Sequence, residues 1–286
     1  MFRSLLAAAV LISGLAACSP QKEPQATGSA SPTASACTKE KLRTSTLGKL
    51  TIATDEPVYP PWFVDNKPEN GQGFEGAVAA AVAQKLGYAS SEVIWKRVTF
   101  NTAIAPGRKG YDFDINEFSI TDERKKAVDF SAPYYDVRQA VIALKNSKIA
   151  GARSLADLKD AKLGAQVGTT SYKAITDVLK PSTQPAVYNN NDDAKKALQN
   201  GQVDGLVVDL PTAFFITSAE LDNGVIVGQL PQVQGGQVEQ FGLVLDKGSS
   251  LTACVSEAVN ALRTDGTLAQ LEKQWLSQTA GAPELT

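Results

Sequence analysis

The stretch NEFSITDERKKAVDFSAPYYD (116–136) gathers side chains suited to recognising a small charged molecule. Arg124 lies within the charged run DERKK, with Ser119 and Glu117 shortly before it. A guanidinium donates two parallel hydrogen bonds from a planar fork, the geometry a carboxylate accepts. A carboxylate such as Glu117, or Asp209 at the end of LVVD, accepts from an ammonium. The competing reading of DERKK is a solvated helix face, with Arg124 paired to Glu123 or Asp129 and with Lys125 and Lys126 at the surface. Thr169 and Thr170 follow QVG at the start of a helical pattern, where hydroxyls cap helices. Asp209 stands just before Leu210 and is itself a candidate cap.

The sequence also excludes much. Its 286 residues contain no histidine, so Ser-His-Asp and Cys-His nucleophiles, imidazole bases and ordinary zinc sites cannot form. The three cysteines, Cys18, Cys37 and Cys254, stand too far apart for a CxxC redox or metal motif. No metal or other cofactor is expected. A net charge of −2 provides no basic field to hold nucleic acid. With 43% hydrophobic and 20% charged residues the composition is globular, and the length suits one large or two medium domains.

An alternation of strands and helices must position these side chains. KLTIATD (49–55) reads as a buried strand and GFEGAVAAAVAQKLG as a helix capped by Gly87. EVIWKRV and YDFDIN read as strands, and the pattern restarts after VRQAVIAL. Strands are then expected at LGAQV, PAVYN, VDGLVVD and GVIVGQL, with helices at TTSYKAITDVL, NDDAKKALQNG and LPTAFFITSAEL between them. FGLVL reads as a strand, followed by helices at LTACVSEAVNALR and GTLAQLEKQWL. Repeated β-α alternation argues an α/β architecture with mainly parallel sheets, and its extent fits two lobes.

Five stretches carry a resemblance, in order: ATDEPVYPPWF (53–63), SITDERKKAVDFSAPYY (119–135), LGAQVGTTS (163–171), VDGLVVDLPTA (203–213) and TDGTLAQLEKQWL (264–276). From about Gly48 to Leu276 the chain resembles the family 3 extracellular solute-binding proteins, polar amino acid receptors of ABC importers. The resemblance implies a type II periplasmic-binding-protein clamshell, each lobe a mainly parallel sheet flanked by helices. Lobe 1 would comprise 37–141 plus 237–279 and lobe 2 142–236, leaving 280–286 as a tail. The two hinge crossings would fall near Gln139–Leu144 and Gln237–Leu243. It implies Arg124 as clamp for an amino-acid carboxylate, with Ser119 as hydroxyl partner and Thr169 and Thr170 as further donors. Asp209 would accept from the ammonium. Tyr59 and Phe100 match aromatics that sandwich the ligand, and Asp55 an acid that contacts its side chain. Trp62 reads as core, and Tyr134-Tyr135 as packing near the hinge.

Two features depart from the family pattern. Relatives usually place Gly or Ala where Glu117 stands. Strand alternation would put Glu117 on the Ser119 face, lining the cleft and, with Asp55, disfavouring an acidic ligand. The alternative directs Glu117 away, to Lys96 or Arg97. AIAPGRKG, in turn, replaces the helix usual before this strand.

The first residues, MFRSLLAAAVLISGLAAC, carry one positive charge and an apolar run too short to span a bilayer. Residues 15–18, Leu-Ala-Ala-Cys, resemble the lipobox of bacterial lipoproteins. That resemblance implies a signal peptide over 1–17 and lipidation (palmitate) at Cys18. The alternative is an ordinary signal peptide. Residues 18–36 lack large apolar side chains and read as a disordered tether. A lipid on Cys18 leaves Cys37 and Cys254 in an oxidising compartment, where a disulfide is expected, with two buried thiols the alternative. The expectation is thus a monomeric, non-catalytic lipoprotein on the outer face of the cytoplasmic membrane. It would deliver a polar amino acid, neutral or cationic, to an ABC permease. The rival readings are a cyclohexadienyl or arogenate dehydratase-like enzyme using Glu117 as acid/base, and a ligand sensor.

Overall fold

A computed structural model describes residues 37–231, 238–277 and 281–286. The expected signal peptide, Cys18 and the tether lie outside the described residues. The elements in chain order are β1 (Leu50–Thr54), α1 (Phe74–Lys85), β2 (Val93–Arg97), α2 (Phe100–Ile104), β3 (Phe113–Asp114), β4 (Val128–Phe130), β5 (Tyr135–Val137) and β6 (Gln139–Leu144). There follow β7 (Leu163–Gln166), α3 (Thr170–Ala174), β8 (Ala186–Tyr188), α4 (Asn191–Gln199), β9 (Gly205–Asp209), α5 (Leu210–Phe215) and β10 (Gly224–Gln229). The chain continues through β11 (Glu239–Phe241), β12 (Val244–Asp246), α6 (Thr252–Thr264) and α7 (Thr267–Leu276).

The strands form two five-stranded sheets, β2-β1-β3-β12-β4 and β10-β6-β9-β7-β8, plus a ribbon of β11 with β5. Within the first sheet β1 runs parallel to β2 and β3, while β12 runs antiparallel to β3 and β4. Within the second, β7 runs parallel to β8 and β9, while β6 runs antiparallel to β9 and β10. In each sheet four strands run one way and a single strand, β12 in the first and β6 in the second, runs against them, so the sheets are mainly parallel with one antiparallel member.

Burial explains the pattern. Every residue of β1 is buried, which is why LTIAT reads as a continuous apolar run. Helices α1, α6 and α7 pack on one another, and α1 turns Phe74, Val78, Val82 and Ala83 into the first core. In the second sheet alternate residues serve opposite faces. Val141, Ala143 and Val207 enter one cluster, and Ala140, Ile142, Leu206 and Val208 the other.

FGLVL is not one strand. It divides between β11, paired to β5, and β12, paired to β4, because the chain leaves the ribbon for the first sheet at this point. AIAPGRKG follows a single short helix, α2, and Lys109 folds back onto the carbonyls of Thr102 and Ala105. Cys37 and Cys254 form a disulfide that pins the start of the described chain to α6.

A further connection joins the lobes. Residues 281–286 lie along β10, where Gln229 N donates to Pro283 O (2.8 Å) and Leu285 N to Gln229 O (2.9 Å). Leu285, 1% exposed, enters the second lobe's core, although α7 packs in the first. Its seat exists because residue 228 has no side chain: a Cβ there would lie 2.8 Å from Leu285 Cγ. Gly228→Val should unseat the tail and lower stability by about 1–3 kcal/mol. Amide exchange at Leu285 and thermal melting would measure this; unchanged protection would refute the packing argument.

Candidate functional site

A cavity of about 290 Å³ lies between the two sheets. Asp55, Tyr59, Phe100 and Glu117 line it from the first lobe, Thr170 and Asp209 from the second. The deep residues come from strand ends and helix starts. Asp209 ends β9 and Thr170 opens α3, so each follows a strand whose backbone is already paired.

Arg124 lies beside this cavity and is not on a solvated face. It is buried and packs over the Phe100 ring at 5.2 Å. It donates from Nη1 to Ser119 O (2.8 Å) and from Nη2 to Gly168 O (2.9 Å), so it spans both lobes. Its competing partners are engaged elsewhere: Glu123 pairs with Lys173 and Asp129 with Lys247. Lys125 and Lys126 are exposed. Ser119 Oγ stands 3.1 Å from Thr170 Oγ1 and donates to Glu239 Oε1 (2.6 Å). Thr169 is spent locally: its hydroxyl accepts from Tyr172 N (3.2 Å), capping α3, and donates to Gln166 O.

At the other end two carboxyls meet across the cleft. Asp209 occupies the cap position of α5 but makes no side-chain cap bond. Its Oδ1 accepts from Gln139 Nε2 (2.5 Å), and its other neighbour is Glu117. Glu117 Oε2 accepts from Thr212 Oγ1 (2.9 Å), which accepts from Trp62 Nε1 (2.8 Å). Glu117 is therefore turned into the cleft and not toward Lys96 or Arg97. Those cations bond Gly110 O, and Asp55 O with Asn66 O, respectively. Glu117 holds its backbone at φ 52°, the left-handed region that favours glycine.

Asp55 accepts from Glu56 N (2.7 Å) and Phe100 N (3.2 Å), which fixes its orientation at the rim. Tyr59 donates to Asp192 across the mouth (2.5 Å), under Lys195 Nζ at 5.3 Å from its ring. Phe100 stacks on Phe118 with centroids 4.9 Å apart. The Trp62 ring is core, as expected, yet its N–H reaches the cleft. Tyr135 pairs in the ribbon between lobes, beside the hinge where the sequence placed it.

Sequence reasoning missed Gln139, Ser171, Thr212 and Glu239. Gln139 bridges Asp209 and Ser171, accepting from Ser171 Oγ at 2.7 Å. Thr212 and Ser171 lay inside the quoted landmarks, each a short step from a residue already singled out. Gln139 and Glu239 carried no spacing signal, because they reach the site only through the paths of β6 and β11.

The electrostatics are lopsided. One guanidinium, Arg124, feels the charges of Glu239 and Asp209, while Glu117 and Asp55 add further carboxyls to the cleft. Burial, then repulsion from Asp209, raises the Glu117 carboxyl far above the ordinary range; burial, then repulsion from Glu239, raises Asp209 to about 8, while its hydrogen bonds with Gln139 and Glu117 pull the other way. Burial raises Asp55 as well. Two carboxyls in contact cannot both ionise cheaply, so the ligand-free cleft holds a proton between them. Among the described residues no group of His, Cys, Asp and Glu has the arrangement of a metal site.

Fold and site together define a two-lobed binding protein whose charged cleft opens between mixed sheets. The chain belongs to the bacterial extracellular solute-binding proteins, family 3, whose model matches residues 50–278. It is 28% identical over 250 residues to the L-arginine-binding protein of Pseudomonas aeruginosa, covering 82% of this chain and 94% of that protein. It is 32% identical over 213 residues to a glutamine-binding protein of Geobacillus stearothermophilus, covering 71% and 78%. An ancestral arginine-binding protein, solved bound to arginine, superposes with a TM-score of 0.65 at 31% identity, over 80% of this chain and 98% of that one. The same ancestral protein is also solved bound to glutamine.

The raised carboxyls predict a pH response. They bind protons more tightly folded than unfolded, so their contribution is complete below about pH 4 and is lost as pH rises through their raised folded values, about 8 for Asp209. The ligand-free protein should melt roughly 5 °C lower at pH 8.5 than at pH 6. Calorimetry of Glu117→Gln should show a smaller fall; an equal fall would assign it elsewhere.

Proposed function

We propose that this chain is the receptor of an amino-acid ABC importer, binding a polar amino acid with a neutral or cationic side chain. The observation that carries the reading is the polarity of the cleft. Thr170 lines the cavity together with the paired carboxyls of Glu117 and Asp209, and behind Thr170 stand Ser119, 3.1 Å from its hydroxyl, and Arg124, in an adjoining cavity that Thr170 also lines. A zwitterion presents a carboxylate and an ammonium on one carbon and matches that polarity. The surplus of carboxyls disfavours an acidic side chain. The names of the relatives, arginine- and glutamine-binding, agree with this class.

In this reading Arg124 is freed from Ser119 O or Gly168 O to grip the ligand carboxylate. Thr170 and Ser119 donate to the same group, and Asp209 with Glu117 accepts from the ammonium. Tyr59 and Phe100 enclose the side chain, with Asp55 at its end. Thr169 contributes its backbone, its hydroxyl being committed to the cap. No catalytic role is proposed, since binding and lobe closure complete the task.

The remaining organisation is part of the same proposal. Residues 1–17 act as signal peptide, and Cys18 carries the lipid that anchors the monomer to the outer face of the cytoplasmic membrane. Residues 18–36 form the tether. Lobe 1 takes 37–141 with 237–279 and lobe 2 142–236, save that residues 139–141 belong with lobe 2 because β6 lies in the second sheet; the first hinge crossing accordingly falls between β5 and β6, just before the expected Gln139–Leu144, and the second near Gln237–Leu243. Residues 280–286 form the tail.

A thermal-shift screen of the twenty amino acids should show stabilisation by polar neutral or cationic ones and none by aspartate or glutamate. Arg124→Lys, which loses the fork but keeps the charge, should weaken binding by about a hundredfold. Unchanged affinity would remove Arg124 from the site. Turnover of prephenate or arogenate would replace the receptor reading with the dehydratase one.

A further inference from the structure

Tyr134 and Glu75 are among the polar groups of the deep core that the binding reading does not use. Glu75, in the first turn of α1, is 0% exposed, and Tyr134 is 2% exposed. The Tyr134 hydroxyl donates to Glu75 Oε1. The same oxygen accepts from the backbone N–H of Glu117 at 2.7 Å. Glu75 Oε2 has no hydrogen-bond partner among the described residues. A fully buried carboxyl is costly to keep, and one whose partners are a tyrosine hydroxyl and one peptide N–H invites the question of what that peptide does.

That peptide is the strained one. Glu117 is one of few non-glycine residues with positive φ, and from this conformation its side chain reaches Thr212 and Asp209 across the cleft. A left-handed glutamate costs on the order of 1 kcal/mol and persists only where its surroundings enforce it. Glu75 itself cannot drift. Phe74 N donates to Pro61 O (2.8 Å) and Glu75 N to Trp62 O (2.9 Å), which joins the start of α1 to the loop that carries Trp62. The approach is so close that a Cβ on Gly73 would lie 2.3 Å from Trp62 O.

We propose that Glu75, held by Tyr134, is a positioning residue that locks the Glu117 peptide in its left-handed conformation and so presents Glu117 to the ligand. The proposal rests on the binding reading for its consequence but not for its geometry. Burial pushes the Glu75 carboxyl up to about 7, so near neutrality it is partly the neutral acid. The groups that face it are Tyr134, Glu117 and, through the core, Asp114 on β3. In either protonation state Oε1 remains an acceptor. A glutamine, isosteric with the neutral acid, therefore reproduces the lock, whereas alanine cannot.

Two measurements test this. Amide exchange on the ligand-free protein should show Glu117 N–H protected in the wild type and in Glu75→Gln. In Glu75→Ala it should be exposed while β1 and α6 stay protected. Tyr134→Phe, a milder change, should give intermediate protection and keeps the test open should Glu75→Ala not fold. Calorimetric titration with L-arginine and L-glutamine should give Glu75→Gln an affinity within about threefold of wild type, and Glu75→Ala a loss of about tenfold or more. On a Glu117→Gly background, where the left-handed backbone is free, Glu75→Ala should change affinity by less than about twofold. Glu117 protection unchanged in every variant, or the same loss on both backgrounds, would overturn the proposal. Protection lost as expected with no binding by the wild type would leave the lock standing and remove the amino-acid reading.

Discussion

The structure turns on an imbalance: one buried guanidinium and several carboxyls converge on one cleft. Arg124 resolves its own charge by donating to Ser119 O and Gly168 O, carbonyls from opposite lobes. Those bonds draw the lobes together without neutralising anything. The carboxyls have no such outlet. Gln139 and Thr212 supply one hydrogen bond each to Asp209 and Glu117, and the remainder of the repulsion is relieved by retained protons. The closed cleft is thus mechanically satisfied but electrostatically unfinished, the condition in which a cation adds most.

The scaffold keeps that imbalance from collapsing. On the first-lobe side, β3 and α1 are fixed by a core that includes Phe74, Phe113 and Trp62, and the disulfide holds Cys37 against α6. On the second, β9 and β7 pair in parallel, so Asp209 at the end of one and Thr170, opening the helix that follows the other, emerge at the same end of the sheet. The ribbon of β5 and β11 lies between, and the tail at Leu285 adds a link to β10. Leu230 N donates to Gln139 O, and Glu284 pairs with Arg138 (3.0 Å). The tail therefore touches the segment whose next side chain, Gln139, holds Asp209.

Much of this was legible in the sequence because it is local. The alternation of β1, α1 and β2 follows from burial on both sides of a strand, and Arg124, Asp209 and Thr170 stand at landmarks within short motifs. Cys37 and Cys254 could be paired by elimination. What was not legible depends on long-range meetings. Gln139 and Glu239 are a hundred residues apart and meet through hinge strands. Trp62 reads as core by type, and only the approach of Thr212 gives its N–H a place in the cleft. FGLVL has no internal sign that it changes partner strands midway. Thr169 shows the converse: its type and position suited two roles, and the local one took its hydroxyl.

Glu117 shows how one residue joins these levels. Its backbone conformation suits glycine, yet its side chain is the group that faces Asp209. A smaller residue would relieve the backbone and remove the repulsion together, so the closed, empty cleft would be more stable without it. Keeping Glu117 raises the free energy of the empty closed state relative to any state in which a cation stands between the two carboxyls. An ammonium there replaces a shared proton with a charge that both carboxyls can accept at once, and the differential stabilisation falls wholly on the closed form. On the proposed binding reading, the cost of one unfavourable residue would thereby be converted into dependence of closure on the charge of what is bound.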